Sequence, residues 1–190
     1  MNELPVLFFA SITDWEAWLE SHHVDIPGIW LKIAKKETGI DSVSYAEALE
    51  IALCFGWIDS QKKKFDEQHW LQKFTPRRNG SGWSRVNQEK VAQLIEQGRM
   101  REAGLREIER AKANGQWKTA YESQGRITVP DDFAALLAEN PEAKTFFEQL
   151  DSANRYAVLY RVTTAKKPQT RLDRMQKLLA MLNNHEKIHN

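Results

Sequence analysis

The sequence has a single cysteine, Cys54, among 190 residues. One cysteine excludes an intramolecular disulfide framework and a zinc site built from several cysteines. The chain also lacks an apolar run near the ~20 residues that a membrane-spanning helix needs. Its opening segment is too short and too poor in positive charge for a secretory signal peptide. We therefore expect a cytoplasmic protein without a membrane segment.

The chain has almost no net charge, since its formal charge at pH 7 is +1. This balance gives no strong signal for nucleic-acid or membrane binding. The charge is nevertheless uneven, because eight Lys and Arg residues stand against three acids from Asp151 onward. The basic tail is therefore a candidate for binding something acidic, either a ligand or the N-terminal part of the chain.

The short motifs of several common enzyme classes are missing. There is no Gly-x-Ser-x-Gly, His-Glu-x-x-His or Gly-x-Gly-x-x-Gly segment. The histidines do not indicate a metal site either: His22 and His23 are adjacent, while His185 and His189 lie in a tail that we expect to be frayed. We expect neither a metal ion nor a cofactor.

The hydrophobic pattern predicts an α+β fold that is predominantly helical. Ile29–Lys35 alternates like a strand, and Ile58–Phe65 and Gln68–Phe74 are predicted to form a hairpin. Residues 3–10 indicate a further short strand or arm. We expect a small antiparallel sheet of about three strands packed on a buried helix at 45–55, followed by a helical C-terminal half.

Local signals place the helix ends and a boundary. Thr13 and Ser44 are each followed three residues later by glutamate, which predicts two capping boxes. Later apolar stripes predict helices that bury Val91, Leu94, Ile95, Leu105, Ile108 and Ala111. Gly125–Pro130 is a connector, which predicts an α+β domain at 1–128 and a helical module at 129–190 packed on it, or one compact unit.

The segment Leu53–Asp59 joins a buried helix end to a polar residue. Gly56 is the expected helix stop, because glycine adopts the left-handed conformation without penalty. Cys54 lies in the apolar part, so we interpret it as an inert core residue. Trp57 and Asp59 follow the stop, and Asp59 is either a loop cap or a site residue.

A second polar segment follows the predicted hairpin. Arg77 and Arg78 precede a loop rich in glycine and serine that leads into a helix at Ser84. Free amides, a helix N-terminus and guanidinium groups together are typical of an anion site. The alternative is a solvated loop with Ser84 as an ordinary cap. Nearby indoles either line such a pocket or pack in the core. The ligand-binding candidates in this half of the chain are Trp57, Asp59, Arg77, Arg78, Trp83, Ser84 and Asn87.

The basic tail supplies further candidates. Lys167, Arg171 and Arg174 follow helical spacing, so their side chains are expected on adjacent turns of one helix face. Either this face is simply solvated, or it donates to an acidic ligand or to Asp59 and its neighbours. The tail candidates are Lys166, Lys167, Thr170, Arg171 and Arg174.

Several segments resemble the bacterial YdeI/OmpD-associated family, also labelled a bacteriocin-protection family. The resemblance extends from about Trp15 to about Leu182. It is carried by Cys54-Phe55-Gly56-Trp57-Ile58-Asp59, Phe74-Thr75-Pro76-Arg77, Trp83-Ser84-x-x-Asn87 and Ala165-Lys166-Lys167-x-x-Thr170-Arg171-x-x-Arg174. It implies a role in stress tolerance towards cationic antimicrobial peptides or bacteriocins, with association to a porin suggested by the label alone. It carries over no catalytic residues.

Three hypotheses follow from the sequence. The first is a non-enzymatic binding protein for a small anionic ligand, using the candidates above. The second is a small-molecule hydrolase or transferase with Asp59 as acid or base. The third is a nucleic-acid-binding protein that uses Lys62–Lys64 and the basic tail, although the near-zero net charge and the lack of a recognisable module weigh against it.

Overall fold

The computed structural model describes residues 3–189 and divides into two compact units. The first comprises the chain up to Ser81 together with Asn87–Lys118. The second comprises Gly82–Val86 together with the chain from Thr119 onward. The α+β class expected from the sequence is confirmed, with the sheet in the first unit and a helical second unit.

Within residues 3–189 the sheet has four strands: β1 (Val6–Phe8), β2 (Ile29–Ala34), β3 (Trp57–Lys64) and β4 (His69–Pro76). Their order is β1-β2-β4-β3, so the predicted hairpin partners β3 and β4 are neighbours and β3 is an edge strand. Both β2 and β3 pair antiparallel with β4. The expectation of a purely antiparallel sheet of about three strands was incomplete, because β1 adds a fourth strand and pairs parallel with β2.

Helices cover one face of this sheet. The first unit contains α1 (Ile12–His22), α2 (Tyr45–Cys54), most of α3 (Arg85–Glu96) and α4 (Glu102–Ala113). Ile29, Leu31 and Ile33 of β2 are buried, as their alternation predicted. The Trp15 ring of α1 packs 5.8 Å from that of Phe74 on β4. Trp15 also donates from Nε1 to the Ala48 carbonyl at 3.1 Å, which joins α1 to α2.

Glycines allow α4 to approach the end of α2. Gly56 has φ +75° and ends the helix at the position predicted from the sequence. Gly104 of α4 lies against the Leu53 and Cys54 carbonyls, where a Cβ atom would be 2.7 Å from the Leu53 oxygen. Cys54 is buried here, so its interpretation as a core residue is confirmed. Burial raises the pKa of its thiol to about 11.

The second unit has its own apolar core. Its helices are α5 (Asp131–Ala138), α6 (Pro141–Gln149), α7 (Ser152–Thr163) and α8 (Pro168–Asn183). Side chains from all four helices meet in this core, including Phe133, Phe147, Val158, Leu178 and Leu182. Asn140 and Pro141 hold the cap and first helical positions of α6, as predicted. Pro168 both marks the predicted break and opens α8, since proline is tolerated in a first helical turn.

Some local predictions were wrong. The cap of α1 is Ser11, whose hydroxyl accepts from the Asp14 amide, and Thr13 lies inside the helix. The Ser44 capping box is confirmed, with Glu47 as its partner. Ile95 and Leu105 were expected in buried stripes, yet both are substantially exposed. Each helix buries a narrower stripe, which in α3 consists of Val91 and Leu94 with Asn87.

Candidate functional site

Asp59 lies on the helix-covered side of β3. It pairs with Phe74 of β4, and its carboxylate Oδ2 accepts a 2.8 Å hydrogen bond from the Tyr45 hydroxyl. Tyr45 is the first residue of α2, so this bond ties the start of that helix to the edge strand. Asp59 is partly exposed. Its use as an acid or base, or as a ligand contact, stays a prediction.

Trp57 is oriented into the core of the first unit. Its side chain is almost fully buried and its indole Nε1 donates to the His23 carbonyl at 3.1 Å. The ring also packs edge-on against Trp18, with centroids 6.1 Å apart. Trp57 therefore contributes to packing, and a ligand would reach its ring only after a rearrangement of these neighbours.

Arg77 and Arg78 are adjacent but lie in different environments. The Arg77 side chain is only 5% exposed, and its backbone amide donates to the Gly56 carbonyl at 3.0 Å. Arg78 is exposed, and its backbone amide donates a 2.9 Å hydrogen bond to the Ser81 hydroxyl oxygen within a tight turn. A guanidinium that is taken out of water needs compensating polar neighbours.

Glu107 is an acid close enough to Arg77 for their charges to interact, and sequence reasoning missed it. It lies on α4, where it forms an ion pair with Arg110, and Arg110 also donates to the Arg77 carbonyl at 3.2 Å. Burial raises the pKa of the Glu107 carboxyl, while the positive charges of Arg110 and Arg77 oppose that rise. The first unit thus holds a partly buried cluster of Arg77, Glu107 and Arg110 beside Gly56.

Trp83 and Ser84 belong to the second unit. Both are buried, and the Trp83 carbonyl accepts from the Tyr121 amide at 2.9 Å. Ser84 forms a parallel bridge with Tyr121, and the Arg85 amide donates to the Tyr121 carbonyl at 3.0 Å. This short pairing fixes the chain just before α3. Asn87 is also buried but falls in the first unit.

The candidate residues of the tail lie in three different environments. Lys166 and Lys167 are exposed in the turn between α7 and α8, and Thr170 in the first turn of α8 is half-buried. Arg171 is committed within the unit, because its guanidinium binds both Asp132 oxygens and the Val162 carbonyl. Arg174 donates from Nη1 to the Arg161 carbonyl at 2.9 Å, which holds the guanidinium over the C-terminal turn of α7.

A groove lies beside Arg174. Its volume is about 540 Å³, and it is lined by Arg161, Arg174, Lys177, Leu178, Met181 and Ile188. Three of these side chains are cationic and three are apolar, and none is acidic. Among residues 3–189, none of the three cations forms a salt bridge. Sequence reasoning found Arg174, but Arg161 and Lys177 were found only when the packing of α7 against α8 was known.

The described part of the chain contains no cluster of three or more His, Cys, Asp or Glu side chains suited to a metal ion. It also contains no helix that is both long and apolar enough to cross a membrane. The candidates of the sequence divide between the two units, with Trp57, Asp59, Arg77, Arg78 and Asn87 in the first and the others in the second.

The fold and these sites define an α+β protein with an additional helical unit that carries a cationic groove. The chain belongs to the family described as a domain of unknown function (DUF8412), whose model matches residues 7–107, just over half of the chain. Residues 126–185 match the model of the family described as bacteriocin-protection, YdeI or OmpD-associated. The resemblance proposed from the sequence is therefore confirmed for residues 126–185, whereas its motifs from Cys54 to Arg77 lie within the DUF8412 match. The groove residues up to Met181 lie within residues 126–185. Searches of curated proteins and of solved structures gave no match.

Proposed function

We propose that this protein is a non-enzymatic binding protein for a small anionic ligand, and that this binding contributes to tolerance of bacteriocins or antimicrobial peptides. The observation that carries the proposal is the groove beside Arg174, which combines three cations with an apolar floor and whose lining residues up to Met181 lie inside the segment matched to the bacteriocin-protection family. The candidate residues of the first unit remain part of the hypothesis, as a separate polar region around Arg77.

The positive charge of the groove favours a negatively charged ligand. Arg161 and Arg174 are both anchored by backbone carbonyls, through the Arg161 bond to Ala157 and the Arg174 bond to Arg161. Each guanidinium keeps further N–H groups, because arginine has five donors. Anchored guanidinium groups suit carboxylate or phosphate recognition, since less side-chain freedom is lost when the ligand binds.

The apolar floor favours a ligand with a second, hydrophobic part. Leu178 is buried, whereas Met181 and Ile188 are half-exposed, and methionine adapts its shape to irregular partners. A cationic peptide would be repelled by the three positive charges of this groove. We therefore propose that protection does not proceed by direct capture of a cationic peptide there, but by binding an anionic amphiphile such as a fatty carboxylate or an alkyl phosphate.

Calorimetry with a matched ligand series tests this proposal. Decanoate and decyl phosphate are expected to bind, whereas decanol, which has the same chain without a charge, should bind at least tenfold more weakly. Arg174→Gln should weaken anion binding, and Lys144→Gln, which removes an exposed charge elsewhere in the same unit, should not. Equal binding of decanol and decanoate, or unchanged affinity in Arg174→Gln, would contradict an anion site.

The cellular part needs its own experiment. A strain that lacks the gene should become more sensitive to bacteriocins or cationic peptides, and the wild-type protein should restore tolerance while Arg174→Gln should not. If Arg174→Gln restored tolerance at the same expression level as the wild type, the tolerance would not depend on the groove. The expected cytoplasmic location and the porin association suggested by the family label stay predictions, which cell fractionation and co-purification test.

A further inference from the structure

We infer that the face of the sheet opposite α1 and α2 is a binding surface for single-stranded nucleic acid. We call it the open face, and it is formed by Val6, Phe8, Trp30, Lys32, Lys63, Phe65, Leu71 and Lys73. The surface lies within the first unit, so this inference is independent of the groove in the second unit. It rests on strand register, on exposed aromatic rings and on the distribution of charge.

The register places aromatic and cationic residues on one side of the sheet. Phe8, Lys32, Leu71 and Lys63 are consecutive partners across all four strands. Val6, Trp30 and Lys73 form the adjacent row. Directly opposed residues of paired strands project from the same face, so these two rows form a continuous surface.

The aromatic rings on this face remain accessible. Phe8 is 39% exposed and Phe65 is 49% exposed, and Trp30 is half-buried. Leu71 lies beneath them and is fully covered. Exposed rings on a sheet are typical of proteins that stack nucleobases, because every base has a flat face that an aromatic side chain can cover.

Lysine side chains lie over these rings. The Lys63 ammonium is 4.2 Å from the centre of the Trp30 ring, and that of Lys32 is 5.1 Å from the Phe8 ring and 5.7 Å from the Phe65 ring. A base that stacked on one of these rings would displace a flexible lysine, which could then reach the neighbouring phosphate. Stacking of a base is worth more than an exposed cation–π contact, so this exchange favours binding.

Charge complementarity supports a polyanionic occupant. The four strands contain five lysines but only one acid, Asp59, and that carboxylate is bonded to Tyr45 on the helix-covered face. The net charge of +1 concealed this separation, because the other acids of the chain lie outside the strands, with Asp66 and Glu67 in the turn between β3 and β4. The open face therefore presents positive charge together with aromatic surface.

The edge strand extends the positive surface. A shallow groove of about 550 Å³ lies along the β3–β4 hairpin, lined by Lys35, Lys36, Lys62, Lys63, Lys64 and Trp70. Lys62 is 4.2 Å from the centre of the Trp70 ring, which repeats the lysine-over-ring arrangement of the open face. A single-stranded nucleic acid bound on the open face and continuing past β3 would therefore reach this groove.

Fluorescence anisotropy with a labelled thymidine oligomer of about twelve nucleotides tests the inference at the length scale of known single-strand sites. Binding should weaken as salt rises, with a log–log slope of about −2 if three lysines contact phosphates. Trp30→Leu should weaken binding about tenfold, as expected for loss of one stacked base, and Trp30→Phe should retain most of the affinity. Phe146→Leu, in the second unit, is the aromatic control, and circular dichroism establishes that each variant is folded.

Two competitors decide between stacking and simple electrostatics. An abasic oligomer with the same number of phosphates should compete at least tenfold less well than the thymidine oligomer, and so should a duplex of equal length. Lys63→Gln should reduce the salt slope, whereas Lys144→Gln should leave it unchanged. Equal competition by the abasic oligomer, heparin or an acidic peptide, or no binding at low salt, would overturn the inference.

Discussion

Arg171 binds Asp132 through two parallel hydrogen bonds. The guanidinium Nε lies 2.7 Å from Oδ2 of the carboxylate and Nη2 lies 2.8 Å from Oδ1. The remaining guanidinium nitrogen, Nη1, donates to the Val162 carbonyl at 2.7 Å. Arg171 of α8 therefore connects α8 to both α5 and α7 within the second unit. Arg174, one turn later, is instead oriented by its hydrogen bond to the Arg161 carbonyl.

This pair makes stability depend on pH in a defined direction. The hydrogen bonds from Arg171 hold the pKa of the Asp132 carboxyl below its ordinary value. A lowered pKa in the folded state means that the pair stabilises the protein above about pH 4, and that this contribution is lost as the pH falls through the lower folded value. Asp132→Asn should therefore cost about 1 kcal/mol or less at pH 7, given the partial exposure of the carboxylate. The cost should be smaller at pH 2.5, which lies below the pKa of the unfolded carboxyl.

Urea unfolding at both pH values measures this difference. Glu139→Gln, at an exposed position of the same unit, is the control for removing one negative charge. A difference between wild type and Asp132→Asn that stayed equal at pH 7 and pH 2.5 would show that the ion pair is not its source. Arg171→Lys should also destabilise at pH 7, because an ammonium cannot reproduce the two parallel bonds.

Gly104 should tolerate no side chain. A Cβ atom there would lie 2.7 Å from the Leu53 carbonyl oxygen and still closer to that of Cys54, so α4 would have to move away from the end of α2. Gly104→Ala should destabilise the protein by about 1–3 kcal/mol, as overpacking in well-packed cores does. Gly80→Ala is the matched control, because no atom of residues 3–189 lies within 4 Å of its added Cβ. Equal urea midpoints for the two variants would show that the close approach is unimportant.

Cys54 should be unreactive in the native protein. Burial raises the pKa of its thiol to about 11, so only about one molecule in a thousand carries a thiolate at pH 8. Ellman's reagent should therefore label native protein very slowly and label urea-unfolded protein rapidly, with one thiol released per chain. Rapid stoichiometric labelling without denaturant would contradict the assignment of Cys54 to the core.

The parts of the fold that the sequence predicted best depend on short-range patterns. The Ser44 capping box, the Gly56 stop and the β3–β4 hairpin are each encoded by a few neighbouring residues. The cap of α1 was misplaced because Ser11 and Thr13 both precede an acid by three residues, and the pattern alone does not choose between overlapping candidates. Likewise, the parallel pairing of β1 and β2 is decided by tertiary contacts that no local pattern records.

The sites were harder to predict for the same reason. The open face arises from cross-strand register, which brings Lys63 and Lys73 to Trp30 from distant parts of the chain. The groove of the second unit similarly depends on how α7 packs against α8. Glu107 was missed because its spacing to Arg110 matches ordinary surface pairs on the same helix, such as Glu109 with Lys112.

Glu107 leads to a prediction in which the free energy of unfolding changes with pH in the opposite direction to that predicted for Asp132. Burial raises the pKa of its carboxyl, and Arg110 is the strongest of the charges that limit the rise. Removal of Arg110 should therefore raise this pKa further. Because the folded state then holds the proton more tightly than the unfolded state, stability should fall as the pH rises above about 4.5.

NMR titration of the Glu107 carboxyl carbon tests that prediction directly. In Arg110→Gln the midpoint should move to higher pH than in wild type, and the urea midpoint should decline more steeply between pH 4.5 and pH 7. Lys112→Gln removes a charge of the same sign on the same helix, but its partner Glu109 is exposed, so it should leave the Glu107 midpoint unchanged. An unchanged midpoint in Arg110→Gln would mean that the Glu107 carboxyl is hydrated in solution, because only a poorly hydrated carboxylate depends this strongly on one neighbouring guanidinium.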